Sequence, residues 1–282
     1  MAGGVSVKAP GRTAIVEVVA SQELSYAVLP GQLAVVIGDP EPCCGLDSCS
    51  PQVIGSRWRA LNAGRQALLT LAYLHKGETY AALACGFGVS TSTAARRANE
   101  TVDLLAVRAM SLKDALKHAK KTGQVYVTVD GTLVRCDRVA ADKPWYSGKH
   151  RCHGVNVQAV ADRSGNLLWT SGGLPGSTHD TAAARIWMIP RLLRDAGLVA
   201  LGDKGYCGLD EEVILTPHKG RNKPEHKKEY NRRHAKLRAP GERVFAQLKK
   251  WRILRKLRCS THRTASLIRA IAVLNHHEQK SR

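Results

Sequence analysis

Long apolar runs are missing from this 282-residue sequence. No segment reaches the ~18 uninterrupted apolar residues that a membrane-spanning helix needs. The most apolar stretch, residues 13–38, is interrupted by Glu17, Glu23 and two helix breakers. The first residues carry only Lys8 and Arg12 and lack an apolar segment of the secretory type. The sequence therefore predicts a cytoplasmic protein that makes no membrane contact.

Regularly spaced cysteine pairs are also missing. The eight cysteines are scattered, except for Cys43, Cys44 and Cys49. A zinc site requires two spaced pairs, or a pair of histidines at the right distance, and neither follows this cluster. A reducing compartment disfavours disulfides. We interpret the cysteines as ordinary thiols, with a metal site at 43–49 as the alternative.

Acidic residues are scarce in one segment. Residues 219–258 contain sixteen Lys or Arg and three Asp or Glu, and they carry most of the formal net charge of +20, whereas residues 1–55 have a net charge of −3. A concentrated basic segment is typical of a protein that binds a polyanion, with DNA or RNA as the default. The alternative is a solvated helical face.

Residues 56–120 have a helical pattern. A short Ala-rich helix meets Gly86 and Gly88, and Ser90 or Thr91 is placed to cap a second helix that carries Arg96 and Arg97 near its start. A helix, a short turn with glycine and a second helix with basic residues near its start form the helix-turn-helix pattern. A plain hairpin of two helices is the alternative, and the basic segment elsewhere favours DNA contact.

Residues 121–282 alternate strand and helix signals. Residues 124–130 form a predicted strand, and residues 154–162 and 167–173 a hairpin. A helix over 180–197 is predicted to be kinked or broken at Pro190, and two more strands follow at 198–203 and 213–219. Basic helices and a last helix at about 264–277 complete the pattern. The order predicts an α/β layer domain.

Two predicted strands end on acids. Asp130 ends the first strand, Asp203 ends the strand after the broken helix, and Glu242 lies early in a late helix. Carboxylates at the carboxyl ends of strands lie where α/β sheets place their ligands. Gathered together they repel each other unless cations neutralise them, and Mg²⁺ favours such oxygen ligands. The alternatives are local: turns at Asp130 and Asp203, helix caps at Asp180 and Glu242.

Six motifs together resemble a known family. In order they are "VTVDGT", "WYSGKHRCHGVNVQ", "PGSTHD", "LGDKGYCG", "LTPHKG" and "RAPGERVFAQLKKWRIL". This series is similar to insertion-sequence transposases of the DDE superfamily, in the bacterial branch related to the Harbinger endonucleases, and it covers about residues 56–277. The resemblance implies an RNase H-like catalytic domain with a mixed sheet and flanking helices, preceded by a small all-α helix-turn-helix domain. We predict the domains as 1–55 (poorly defined), 56–120 (helix-turn-helix) and 121–282 (catalytic).

The resemblance implies a catalytic and metal-binding triad of Asp130, Asp203 and Glu242, holding Mg²⁺ or Mn²⁺, with two ions expected. Asp180 is the alternative second acid, because it lies in the family motif "GSTHD". We prefer Asp203, because Asp180 precedes the helix that separates the third and fourth strands of the fold.

A wider set of relatives carries the signature Y-x2-R-x3-E-x6-K. Arg238, Glu242 and Lys249 match it, whereas Ala235 occupies the tyrosine position. This departure puts the role of the tyrosine in doubt and leaves the triad intact. Glu242 and Lys249 are seven residues apart and so share a helix face.

The chemistry implied by the resemblance is metal-dependent phosphoryl transfer on double-stranded DNA. A metal-activated water cuts at the ends of a mobile element, and the 3′-OH that is freed attacks target DNA. A homo-oligomer on DNA, at the bacterial nucleoid, is expected. The predicted DNA contacts are Arg96, Arg97, Lys149, Arg151, Arg238, Lys249, Lys250 and Arg252.

Two other functions stay open at this point. A catalytically inactive, transposase-derived DNA-binding protein or regulator shares the charge and the helix-turn-helix, but it needs no triad. A nuclease that acts on RNA or on hybrids shares the catalytic fold, whereas the helix-turn-helix favours duplex DNA.

Overall fold

The computed structural model describes residues 60–137 and 143–280, apart from the side chains of residues 261, 262 and 280, together with the backbone of 14–17, 26–29 and 33–36. Cys43, Cys44 and Cys49 lie outside the described residues, and so does the metal site considered there. The chain divides into two compact units, residues 1–73, 78–101 and 277–282 on the one hand and residues 74–77 and 102–276 on the other. The predicted domain boundaries stay a prediction.

Three short strands come first, β1 (Ala14–Glu17), β2 (Tyr26–Leu29) and β3 (Leu33–Val36). They form a small sheet in the order β1-β3-β2, with β1 parallel and β2 antiparallel to β3. The sequence pattern of this region did not predict these strands.

Helix α1 (Ala63–Leu71) leads through a π-helical segment, Ala72–Lys76, to α2 (Tyr80–Phe87) and α3 (Thr91–Val107). The Thr79 hydroxyl accepts a hydrogen bond from the amide of Ala82 and caps α2. Gly88 ends α2 in the left-handed conformation, with φ at 67°, which costs a glycine little. The Ser90 hydroxyl accepts from the amide of Thr93 at the start of α3. The predicted helix, glycine turn and capped second helix are therefore present.

The larger sheet contains ten-residue strands at its centre and shorter ones outside. Its strands are β4 (Tyr126–Arg135), β5 (Tyr146–Ser147), β6 (Cys152–Ala161), β7 (Leu167–Thr170), β8 (Leu174–Pro175), β9 (Val199–Leu201) and β10 (Ile214–Leu215). The path β7-β6-β4 is antiparallel, and β9 and β10 continue it parallel to β4. Three antiparallel strands, then two parallel strands on the other side of the first, are the arrangement of an RNase H-like fold, which confirms the predicted fold class.

Helices α4 (Leu112–Lys121), α5 (Asp180–Ile186) and α6 (Ile189–Ala196) accompany the sheet, and α7 (Glu225–Arg238), α8 (Glu242–Lys250) and α9 (Thr261–Lys280) follow it. One sheet face, with Val127 and Val129, packs in a core with apolar residues of α4, α5 and α6. Met188 adopts a φ of 53° between α5 and α6, and Pro190 lies at the start of α6. The helix break predicted at Pro190 is therefore present.

Candidate active site

Asp130 does not end its strand, contrary to the prediction. It is the fifth residue of β4, and β4 continues to Arg135 because Gly131–Arg135 stay paired with β6. On the other side the partner is β9, and the last parallel pair there joins Thr128 to Leu201. Asp130 thus lies beyond the end of the parallel pairing, where a carboxylate can leave the sheet edge without clashing with β9.

Asp203 lies next to this position for the same geometric reason. It follows Leu201 by two residues, just as Asp130 follows Thr128 by two. Side chains alternate along extended chain, and Asp203 keeps extended backbone angles of −80° and −175°. Both carboxylates therefore emerge on one face of the sheet. The amide of Gly205 donates to Asp203 Oδ1 at 2.8 Å and holds that side chain.

The start of α8, where Glu242 lies, packs beside the same face of β4. A 3-10 turn, Ala239–Gly241, joins α7 to α8. Gly241 packs on Thr128, where a Cβ would lie 2.6 Å from the threonine hydroxyl, so only glycine allows this approach. This contact fixes the first turn of α8 beside β4. Asp130 follows Thr128 by two residues on that strand and therefore lies on the same face.

Arg238 lies between two acids of the predicted triad, Asp130 and Glu242. Its Nη2 is 2.6 Å from Asp130 Oδ2, and its Nη1 is 3.6 Å from Glu242 Oε1. The Arg238 and Asp130 side chains are only 19% and 25% exposed, whereas Glu242 is 71% exposed. Arg238 therefore acts inside the acidic site, and its predicted DNA contact stays a prediction.

The electrostatics of the site are those of crowded carboxylates. Burial raises the pKa of Asp130 to about 6, and it does so despite the Arg238 guanidinium, which lowers it. The carboxylates of Asp203 and, more weakly, Asp180 also contribute to this raised pKa of Asp130. Such a donor set of hard oxygens fits a divalent cation of the Mg²⁺ kind. In residues 60–137 and 143–280, however, no three His, Cys, Asp or Glu side chains are already arranged as a cation site.

Asp180 approaches from the other face of β4. A Cβ built on Gly131 would overlap Asp180 Oδ1. That Cβ would face the side of the sheet opposite to the Asp130 side chain, because neighbouring residues of a strand face opposite sides. Asp203, by contrast, shares the face of Asp130 and raises its pKa more than Asp180 does. This geometry favours Asp203 as the partner of Asp130, while the choice between the two acids stays a prediction.

The turn between β6 and β7 supports the start of α8. Gly165 has a φ of +80°, and a Cβ there would overlap the carbonyl of Pro240, two residues before Glu242. Gly123 has a similar φ of +75°, but a Cβ there would meet no described atom within 4 Å. The two glycines therefore form a matched pair that differ in the space around them.

We expect Gly165→Ala to destabilise the fold more than Gly123→Ala. The left-handed backbone costs either alanine about 1–2 kcal/mol, and the overlap with Pro240 adds about 1–3 kcal/mol. Only Gly165→Ala should also lower DNA cleavage, because it displaces α8 and Glu242. Urea unfolding of both variants and a cleavage assay test this. Equal losses of stability would mean that the turn does not press on Pro240.

The basic side chains of the helix-turn-helix differ in their surroundings. Arg96 is exposed on α3. Arg97 donates to Glu100 at 2.8 Å, and its side chain is 14% exposed. Both DNA contacts stay predictions, and of the two side chains only that of Arg96 faces solvent.

The remaining predicted DNA contacts lie on the surface. Helix α8 ends at Lys250, and a 3-10 turn, Arg252–Leu254, follows it. The helix ends where Trp251 leaves helical geometry, with backbone angles of −74° and 99°. The Trp251 side chain is buried, and its indole donates to Asn275 at 3.2 Å. The exposed basic residues of the prediction are Lys149, Arg151, Lys249, Lys250 and Arg252.

Three polar residues near the acids were missed at the sequence level. Asn156 and Gln158 are buried on β6, and the Tyr206 hydroxyl, also buried, donates to Gln158 Oε1. Polar residues at alternate positions in the otherwise apolar segment "GVNVQAVA" were the available signal, since they share one face of a strand. Burial and the neighbouring carboxylates of Asp180, Asp130 and Asp203 raise the pKa of Tyr206 well above its ordinary value.

An RNase H-like sheet with two acids just beyond the parallel pairing of neighbouring strands is typical of a class of metal-dependent nucleases. A family model described as a DDE superfamily endonuclease matches residues 129–276, and one described as the helix-turn-helix of DDE superfamily endonucleases matches residues 59–111. The chain therefore belongs to the DDE superfamily endonucleases. Members of this superfamily generally use divalent metal ions. The predicted transposase function and enzyme class are confirmed at this level.

Named relatives agree with the assignment. The chain is 32% identical over 200 residues to the "Putative transposase for insertion sequence element IS112" of Streptomyces albus G. The aligned region covers 68% of this chain and 71% of that protein. It is 26% identical over 217 residues to the "Probable transposase for insertion sequence element IS702" of Microchaete diplosiphon, covering 72% and 75%. Among solved structures, a chain of the Mos1 strand transfer complex is 14% identical to this protein, with a TM-score of 0.22. The match covers 71% of this protein and 79% of the Mos1 chain. We draw nothing from a likeness that weak.

The described helices contain none that is long and apolar enough to cross a membrane.

Proposed function

We propose that this chain binds the ends of a mobile DNA element and catalyses strand cleavage and strand transfer with Asp130, Asp203 and Glu242. One observation carries the proposal. Asp130 and Asp203 each lie two residues beyond the last parallel pair of the sheet, and Glu242 shares the guanidinium of Arg238 with Asp130. These contacts support the proposal that three acids from distant parts of the chain act together on one face of the sheet.

Divalent cations, proposed to be two ions of Mg²⁺ or Mn²⁺, would supply Lewis-acid chemistry at the scissile phosphate. Asp130 and Asp203 would hold them from the sheet, and Glu242 would close the site from α8. The exposed Glu242 side chain has the freedom to reach the cation, whereas Asp130 is held by Arg238 and by the amide of Gly131 at 2.9 Å.

The bond changes follow from the substrate. The oxygen of a water molecule forms a bond to phosphorus at the element's end, and the bond from phosphorus to the 3′ oxygen breaks, which leaves a 3′-OH. That hydroxyl then attacks a phosphodiester of target DNA in the same way. A cleft of about 390 Å³ beside Asp203 and Arg238 is also lined by Lys204, which would hold the phosphate backbone, and by Ala235, at the tyrosine position of the signature.

The exposed basic side chains would neutralise phosphates on either side of the cut. Such contacts position the duplex without reading its sequence, whereas the start of α3 would meet base edges. Arg96 is placed for that contact. Joining two element ends to one target calls for more than one active site, so we propose a homo-oligomer on DNA, acting at the bacterial nucleoid in the cytoplasm.

The test is to incubate the protein with a duplex that carries the DNA flanking its own gene, with Mg²⁺, and to map nicks. We expect nicks at the element ends that require the cation and are missing on a scrambled duplex. End binding without nicks would favour the alternative, an inactive DNA-binding protein or regulator. Preferential cutting of an RNA–DNA hybrid would instead indicate a different nuclease of the same fold.

A further inference from the structure

A buried chain of side chains runs behind the acidic site. The Tyr206 hydroxyl donates to Gln158 Oε1. Gln158 Nε2 donates to Asn156 Oδ1 at 2.8 Å and to Asp180 Oδ1 at 3.2 Å. Asn156 Nδ2 donates to the carbonyl of Thr178 at 2.9 Å and to the same Asp180 oxygen at 3.1 Å. Two amides thus converge on one carboxylate oxygen.

The network has only one consistent orientation. Gln158 is fully buried, and turning its amide over would set its oxygen against the carboxylate of Asp180 and the amide oxygen of Asn156. The hydroxyl of Tyr206 disfavours that reversal, because its proton then has no acceptor on Gln158. An unsatisfied polar group in the interior is costly, so Tyr206 fixes Gln158, and Gln158 together with Asn156 fixes Asp180.

The second oxygen of Asp180 points toward the acidic site. A Cβ on Gly205 would lie 3.2 Å from Asp180 Oδ2 and 2.8 Å from Asp203 Oδ1. Gly131 leaves the space that Asp180 Oδ1 and the Gln158 amide occupy, since a Cβ there would lie 2.7 Å from Gln158 Nε2. The missing side chains at Gly131 and Gly205 therefore allow Asp180 to lie behind Asp130 and Asp203.

We propose that Asp180 is a fourth carboxylate of the acidic site, which raises its affinity for divalent cations without replacing Asp203, and that Gln158 is the residue that positions it. The inference rests on the proposed function of the same site. A negative charge held near a cation strengthens its binding, and a carboxylate that swings away loses that effect. The positioning role belongs to Gln158, with Tyr206 behind it.

The experiment titrates the full-length protein with Mn²⁺ alone. Electron paramagnetic resonance measures the free ion at each step of the titration. Asp180→Asn keeps an oxygen that can accept from both amides and removes only the charge, so we expect the Kd for Mn²⁺ to rise roughly tenfold. Gln158→Leu should raise it by a similar factor. Asn275→Leu is the control, because Asn275 is also a buried amide but bonds to Trp251.

A double variant separates positioning from general damage. If Gln158 acts through Asp180, Gln158→Leu combined with Asp180→Asn should bind Mn²⁺ no more weakly than Asp180→Asn alone. Tyr206→Phe, a milder change, should raise the Kd in the same direction, whereas Tyr80→Phe, which loses a hydroxyl bonded to Asn99, should not. Thermal unfolding of each variant shows whether it is folded.

Two results would overturn the inference. One is an unchanged Kd in Asp180→Asn, and the other is an equal rise in Gln158→Leu and Asn275→Leu. A wild-type protein that neither binds Mn²⁺ nor nicks end DNA would refute the proposed function itself. A wild type that does both, with unchanged Gln158 and Tyr206 variants, would refute only the positioning role.

Discussion

Asp203→Asn should lower the rate of end cleavage by roughly a thousandfold, which corresponds to about 4 kcal/mol of transition-state stabilisation, and Asp130→Asn should do the same. Each substitution removes a carboxylate from the sheet face on which Asp130 of β4 and Asp203 after β9 lie. The amide that replaces it is a poor ligand for a hard cation. End binding should persist, because phosphate contacts come from basic side chains. Cleavage and gel-shift assays on one duplex measure both.

Asp180→Asn is the control that distinguishes the two candidate second acids. We expect its cleavage to be weak at low Mn²⁺ and to return toward the wild-type rate as Mn²⁺ is raised, because only affinity is reduced. Asp203→Asn should stay inactive at every concentration. The reverse pattern, an active Asp203→Asn and an inactive Asp180→Asn, would make Asp180 the second catalytic acid.

Arg238→Met should destabilise the protein far more than Arg194→Met, although both arginines pair with a carboxylate at nearly the same distance, 2.6 Å to Asp130 and 2.7 Å to Asp210. The Arg194 side chain is 55% exposed, so its pair contributes about 0–1 kcal/mol. Arg238 is mostly buried, and its loss leaves Asp130 among other acids at a cost of about 2–4 kcal/mol. Urea unfolding above pH 7 with EDTA measures both losses.

The pH dependence of that difference follows from Asp130. Its pKa is raised to about 6, so its ionisation costs stability, and this cost grows as pH rises from the ordinary value of 3.8 through 6. Without Arg238, which lowers that pKa, the cost is larger. The loss in Arg238→Met should therefore be greatest above pH 6, shrink in more acidic solution and be partly recovered by Mg²⁺. A loss that is independent of pH and Mg²⁺ would mean that Arg238 supports packing alone.

The family and the order of its parts could be predicted from the sequence. The capped helices around Gly88, the hairpin before Leu167, the broken helix at Pro190 and the late helix that begins at Glu242 all depend on local signals, namely caps, turns and periodicity. The candidate acids could be named because each lies in a motif, and the motifs follow one another along the chain in the order typical of the family. Local rules suffice for such features because the interacting residues are close in the chain.

Other features depended on which strands become neighbours. Asp130 lies within a strand because β6 continues to pair with β4 where β9 has already ended. Asp180 and Asp203 differ by the sheet face that each approaches, and the sequence pattern carries no record of that face. Arg238 neutralises Asp130, 108 residues away, and Gln158 holds Asp180. These contacts join residues far apart in the chain, so only the tertiary structure could decide them.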